Sequence, residues 1–146
     1  MRTNNFITIL LAIIITTFAI GCSNNSQKPD TFKINAEIPV ELCLTENQNG
    51  SIIAVQPSLM KDTVHISELV RYPGDNEITA PFYFKDIEKY AQITEANLDK
   101  RIAISINGEI VSTPVIKMKI SDGACSVLLS KEQIAKYFPN IQVEDI

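Results

Sequence analysis

The 146-residue chain has no tryptophan, one histidine, five glycines and three cysteines. Each shortage removes a class of chemistry. His65 is the sole imidazole and no CxxC, HxH or HExxH spacing occurs, so no metal site is expected. Five scattered glycines build no phosphate-cradling loop, and neither GxSxG nor SxxK marks a serine nucleophile. Positive charge is also scarce. With 13 Lys+Arg against 17 Asp+Glu, for a net charge of −4, the chain has no basic field with which to displace counterions, and nucleic acid is not an expected partner. No cofactor is expected. What remains is ordinary for one soluble domain: 45% apolar and 21% charged residues, enough to bury a core in a chain of this length.

The long apolar run is confined to the N-terminus. From Phe6 to Ile20 only Thr8, Thr16 and Thr17 are polar, and Gly21 and Cys22 follow. Fifteen residues fall short of the roughly 20 that cross a hydrocarbon core but fit the apolar part of an export signal. Ala19-Ile20-Gly21-Cys22 resembles a bacterial lipobox, which implies cleavage after Gly21 and a diacylglycerol on the sulfur of Cys22. The expected organisation is a signal peptide over 1–21, a flexible tether over 22–33 and a folded domain over 34–146. Acylation there, including a palmitate-type chain, holds the domain on a membrane facing the periplasm. By its likeness to Gram-negative lipoproteins, Ser23 directs the protein to the outer membrane.

The folded part reads as hairpins with short helices. Lys33 to Val55 alternates around the turn Asn49-Gly50, and Pro57 is expected to stop the second strand. A short helix, capped by Asp62 or Thr63, is expected to run to Leu69, followed by a turn over 72–76 and an extended run from Glu77 to Phe84. Lys85 to Thr94 places Ile87, Tyr90, Ala91 and Thr94 on one helix face. Arg101 to Ile106 alternates and meets Asn107-Gly108, a two-residue turn that sets Ile106 opposite Glu109 and Ile104 opposite Val111. Ala124 to Leu129 is the last strand, and Ser130 with Gln133 forms a capping box for a helix ending before Pro139. The expected fold class is α+β: one small domain, a mostly antiparallel sheet of hairpins with two to three short helices. The hairpin from Ile102 to Val111 is expected at its centre, under the helix from Lys85 to Thr94.

Thr94 to Pro114 (TEANLDKRIAISINGEIVSTP) resembles the head of the first periplasmic domain of SecD, a subunit of the SecDF export complex. The pattern comprises a helix ending near Thr94, Asn97, Lys100-Arg101, the strand to Ile106, the Asn107-Gly108 turn, a short return strand and Ser112-Thr113-Pro114. Asp99 stands where the family usually has glycine, and Asp122-Gly123 where it often has a glycine pair. The resemblance implies a domain that contacts emerging polypeptide. It also implies no pump, because no apolar span with coupling charges follows the signal.

The residues themselves offer few chemical candidates. His65 with Asp62 three residues earlier could orient an imidazole on a helix, but a histidine beside a cap is usually a surface residue. Lys100-Arg101 could hold an acidic group or simply flank a strand start. Cys43 and Cys125 could close a loop of about 80 residues in an oxidising envelope. Strand phase opposes that bond, because Cys43 shares a face with Glu41 and Cys125 with Val127 and Leu129; two free thiols are expected, Cys125 the more buried. The leading reading is a non-catalytic envelope lipoprotein that binds unfolded polypeptide, the export machinery or another envelope protein through a sheet edge. A small envelope hydrolase or thiol enzyme, and an inhibitor- or immunity-type lipoprotein, are the competing readings.

Overall fold

The computed structural model describes residues 28–141. The signal segment, Gly21 and Cys22 lie outside them. Eight elements follow in order: β1 (Asp30–Gln48), β2 (Ser51–Arg71), β3 (Ile78–Tyr83), α1 (Ile87–Ala96), β4 (Ile102–Ile106), β5 (Glu109–Ser112), β6 (Ala124–Leu129) and α2 (Lys131–Tyr137). The strands form one antiparallel sheet in the order β5-β4-β1-β2-β3-β6. The α+β expectation therefore holds, with two helices among the described residues. No helix among them is long and apolar enough to cross a membrane.

The long β1/β2 hairpin is the spine of the sheet. Asn49 and Gly50 both take the left-handed conformation, with φ of 54° and 82°, so Gln48 faces Ser51 across a tight turn whose twist suits the strands. Three expectations change here. β1 begins at Asp30, taking in residues 30–33 that the sequence assigns to the tether. Pro57 interrupts the ladder without ending the strand: Leu42 faces Met60 and Leu44 faces Val55, so residues 56–59 bulge out and pairing resumes. The helix expected from Asp62 to Leu69 is instead the second half of β2. Val64 and Ile66 are buried two residues apart, and pairing with the apolar inner row of β1 outweighs a weak local cap signal.

Ile38, Val40 and Leu42 of β1 line the core, as do their partners Val64 and Met60; β4 adds Ile102, Ile104 and Ile106 against Leu44, Leu42 and Val40. The hairpin of β4 and β5 is not central, contrary to expectation. It sits at one end of the order, because the 19- and 21-residue strands β1 and β2 offer a longer ladder to each other than β4 offers to either. Asn107-Gly108 does turn as expected, and Ile106 faces Glu109, but Ile104 faces Ser112: a bulge at Val111 of β5, opposite the step from Ile104 to Ser105, shifts the register.

Asp86 caps α1 by accepting the Lys89 N–H at 3.0 Å. The helix buries Tyr90, Ala91, Ile93 and Thr94, with the Tyr90 ring 4.6 Å from that of Phe84. Ile87, expected in the core, is 44% exposed, because the helix starts at Ile87, two residues later than the periodicity indicated, and Ile87 falls in its unpacked first position. The capping box of Ser130 and Gln133 is present as read, and it seats α2 with Ile134, Tyr137 and Phe138 in the core.

Candidate functional site

The sheet order leaves β5 and β6 at its two ends, and curvature brings them towards each other without strand pairing. Beyond β5, Pro114 blocks a regular ladder, yet the chain stays beside β4. Ile102 N–H donates to Pro114 O and Ile116 N–H to Lys100 O, both at 3.0 Å, around an isolated bridge of Arg101 with Val115. The segment is held further by Asp99 N–H donating to Ile116 O at 2.8 Å and by Thr94, whose buried hydroxyl accepts the Ile120 N–H at 3.0 Å. Asp99 makes its bond at a φ of 62°, a conformation in which glycine is at ease and Asp tolerable, which accounts for that departure from the SecD pattern.

Between this segment and β6 lies an apolar groove of about 480 Å³. Phe82, Tyr90, Ile104 and Cys125 are among its lining residues, and Tyr83 and Met118 stand at its rim, 64% and 69% exposed. Exposed large apolar side chains beside an apolar hollow mark an interaction surface more than a solvated one.

The backbone at the groove is distinctive. Phe84 N–H donates to Gly123 O at 3.0 Å, and in an antiparallel ladder that parity makes Phe82 with Cys125 and Ala80 with Val127 the mutually bonded pairs. Pro81, without an N–H, sits opposite Ser126 between them. The N–H and C=O groups of Ala124, Ser126 and Leu128 consequently face away from β3. Asp122 accepts the Ala124 N–H at 3.0 Å, which blunts one end of this edge and leaves the rest open.

Other candidate residues do not assemble into chemistry. Asp62 and His65, expected together on a helix, lie on opposite faces of β2: Asp62 accepts the Lys85 N–H at 2.8 Å and so holds the entry to α1, while exposed His65 has Nδ1 3.7 Å from Glu37. Lys100 Nζ is 3.2 Å from Asn97 Oδ1, and the Arg101 guanidinium donates to Thr113 O; both cations tie down the turn and the segment leading to the groove. Asn97 is itself buried and donates to Ile93 O at 2.9 Å, closing α1.

Both thiols are free. Cys43 points to the outer face, 3.8 Å from Glu41 Oε1, and the bulge brings the Gln56 amide to 3.6 Å from its sulfur. The expected order of burial is reversed, with Cys43 1% exposed and Cys125 half-buried, because the bulge covers Cys43 while Cys125 borders the groove. Desolvation nevertheless pushes the Cys125 thiol up to about 11, against hydrogen bonds from the Tyr90 hydroxyl and the Ser126 backbone that lower it. Burial first, then the neighbouring Glu41 charge, raises Cys43. His65 shares the outer face of the hairpin with Cys43 but lies about 20 Å along it, so no Cys–His pair forms. Among the described residues no group of three His, Cys, Asp or Glu could hold a metal ion.

No family model matches the chain. The protein translocase subunit SecD of Aquifex aeolicus (strain VF5) is 51% identical to it over 35 residues, 24% of this chain and 7% of that protein. The chain thus matches only a small fraction of that relative's length. Among solved structures it is similar to SecDF, described as a membrane component that enhances protein export, with a TM-score of 0.47 and 14% identity over 63% of this chain and 55% of that one. The sequence match bears out the resemblance to SecD. The sequence pattern points to a sheet edge as the candidate surface but assigns no place there to Ile116, Met118 and Ile120, which line the groove. Their alternation with Lys117 and Lys119 is a strand signal, but one with no strand partner assigned.

Proposed function

We propose that the protein is a non-catalytic envelope lipoprotein, anchored through Cys22, whose SecD-like domain binds polypeptide in the context of protein export. The observation that carries this reading is the apolar groove between residues 114–120 and the unpaired edge of β6, with Tyr83 and Met118 on its rim. An edge whose backbone groups no neighbouring strand pairs, beside an apolar hollow, accepts an extended chain through its backbone and so needs little sequence specificity. The segment of identity with SecD gives that ligand a context. Cleavage after Gly21 and acylation of Cys22 tether the domain to a membrane, the outer one in a two-membrane cell, with residues after Cys22 as the spacer.

A photo-crosslinking residue at Met118 in intact cells tests the reading. Adducts with secretory precursors or export subunits are expected, and they should disappear when the crosslinker is moved to Ser67 on β2, away from the groove. Equal adducts from both positions, or none from Met118, would overturn it. Cys22→Ser should yield an unprocessed, unacylated precursor; maturation of that variant at the same bond would remove the lipid anchor from the proposal.

A further inference from the structure

Both walls of the groove carry backbone groups that no neighbouring strand pairs. On one wall, β6 turns the N–H and C=O groups of Ser126 away from β3. On the other, the bonds from Ile102 to Pro114 and from Ile116 to Lys100 flank the bridge of Arg101 with Val115, and in that arrangement the N–H and C=O of Val115 point away from Arg101. Val115 and Ser126 both line the groove. The sheet is therefore interrupted between its two end strands, and the groove lies along that interruption.

We propose that this interruption is a slot for one inserted strand of a bound polypeptide, paired to β6 on one side and to the Val115 segment on the other. The proposal rests on the polypeptide-binding reading and deepens it by naming the mode and the class of ligand. An inserted residue bonds one wall and its neighbour bonds the other, while side chains alternate between the apolar floor at Phe82, Tyr90 and Ile104 and the outside. The ligand is thus an extended segment of about four residues with apolar side chains at alternate positions and no proline among them. Helical ligands are excluded, since their N–H groups are already bonded internally. Ala124 has its N–H taken by Asp122, so pairing on β6 centres on Ser126.

The test uses the full chain reconstituted with lipid and fluorescent peptides of alternating apolar and polar residues. Backbone N-methylation at every second position removes the N–H groups facing one wall, and methylation of the intervening positions removes those facing the other. Each set should weaken binding about tenfold, the loss of one to two net hydrogen bonds. Ser126→Pro removes an N–H that β3 does not use and should weaken the unmodified peptide similarly; if that variant fails to fold, the peptide series on the unaltered chain still decides. Sensitivity in only one register would replace the slot with one-sided edge addition. Tight binding indifferent to both methylations would overturn the slot yet leave polypeptide binding standing. Absence of binding by any peptide would overturn both.

Discussion

Ile104 and Ile106 stand two residues apart on β4, facing the same core, and truncating each to alanine should give different losses. Both are buried, at 2% and 0% exposure, against Leu42 and Val40. Ile→Ala removes three carbons, worth about 2.4 kcal/mol at roughly 0.8 kcal/mol per buried methylene. A closed site adds a cavity cost that brings such changes towards 4–5 kcal/mol. Ile106 is in that position. Ile104 borders the open groove, so water or a moving Met118 can enter the space, and its cost should stay near 2–3 kcal/mol. Equilibrium urea unfolding of the two variants, followed by circular dichroism, measures both. A loss under about 1 kcal/mol for Ile104→Ala would place β4 at the surface, and a loss larger than that of Ile106→Ala would mean that the groove is closed.

Gly123→Ala should destabilise by about 1 kcal/mol or more in the same assay, because φ is +77° there and a Cβ would lie 3.0 Å from the Phe84 oxygen. Glu109 accepts from Lys136, and from Tyr137 at 2.7 Å; these bonds, Lys136 first, hold its carboxyl below its ordinary 4.5. Its contribution is therefore present above about pH 4.5 and lost as pH falls through the lowered value, so the stability gap between the protein and Glu109→Gln should close under acid. A gap unchanged between pH 6 and about pH 3 would refute that linkage. In the folded protein Cys125, pushed up to about 11, should resist thiolate-directed reagents at pH 8 and gain reactivity as pH approaches 11. Denaturation should then release both Cys43 and Cys125 as free thiols; a protein with neither thiol free would show that a bond forms.

What was legible in the sequence was local. Asn49-Gly50 and Asn107-Gly108 carry their turn geometry in two residues, and Ser130 with Gln133 carries a cap in four, so these features stand where the pattern put them. What was not legible depends on partners far along the chain. Asp62 to Leu69 holds a helix cap signal and a strand alternation at once, and only the row formed by Ala36, Ile38 and Val40 decides between them. The position of β4 in the sheet has the same origin: its five residues look central because they are all apolar or small, but their place follows from the length of the β1/β2 ladder.

The groove was hidden for a related reason. Residues 115–120 alternate as a strand does, but Pro114 denies them a regular ladder with β4, and the tie of Ile120 to Thr94 draws their far end towards α1. One proline thus interrupts the segment's ladder with β4, and one buried hydroxyl ties its far end to α1. Restoring continuity should close the gap: Pro114→Val supplies an N–H and a β-branched side chain, and lets β5 extend beyond Ser112. If the groove exists because the sheet is interrupted there, that variant should gain stability while losing peptide affinity. Gains in both would separate the binding surface from the interruption and assign it to the exposed rim at Tyr83 and Met118 alone.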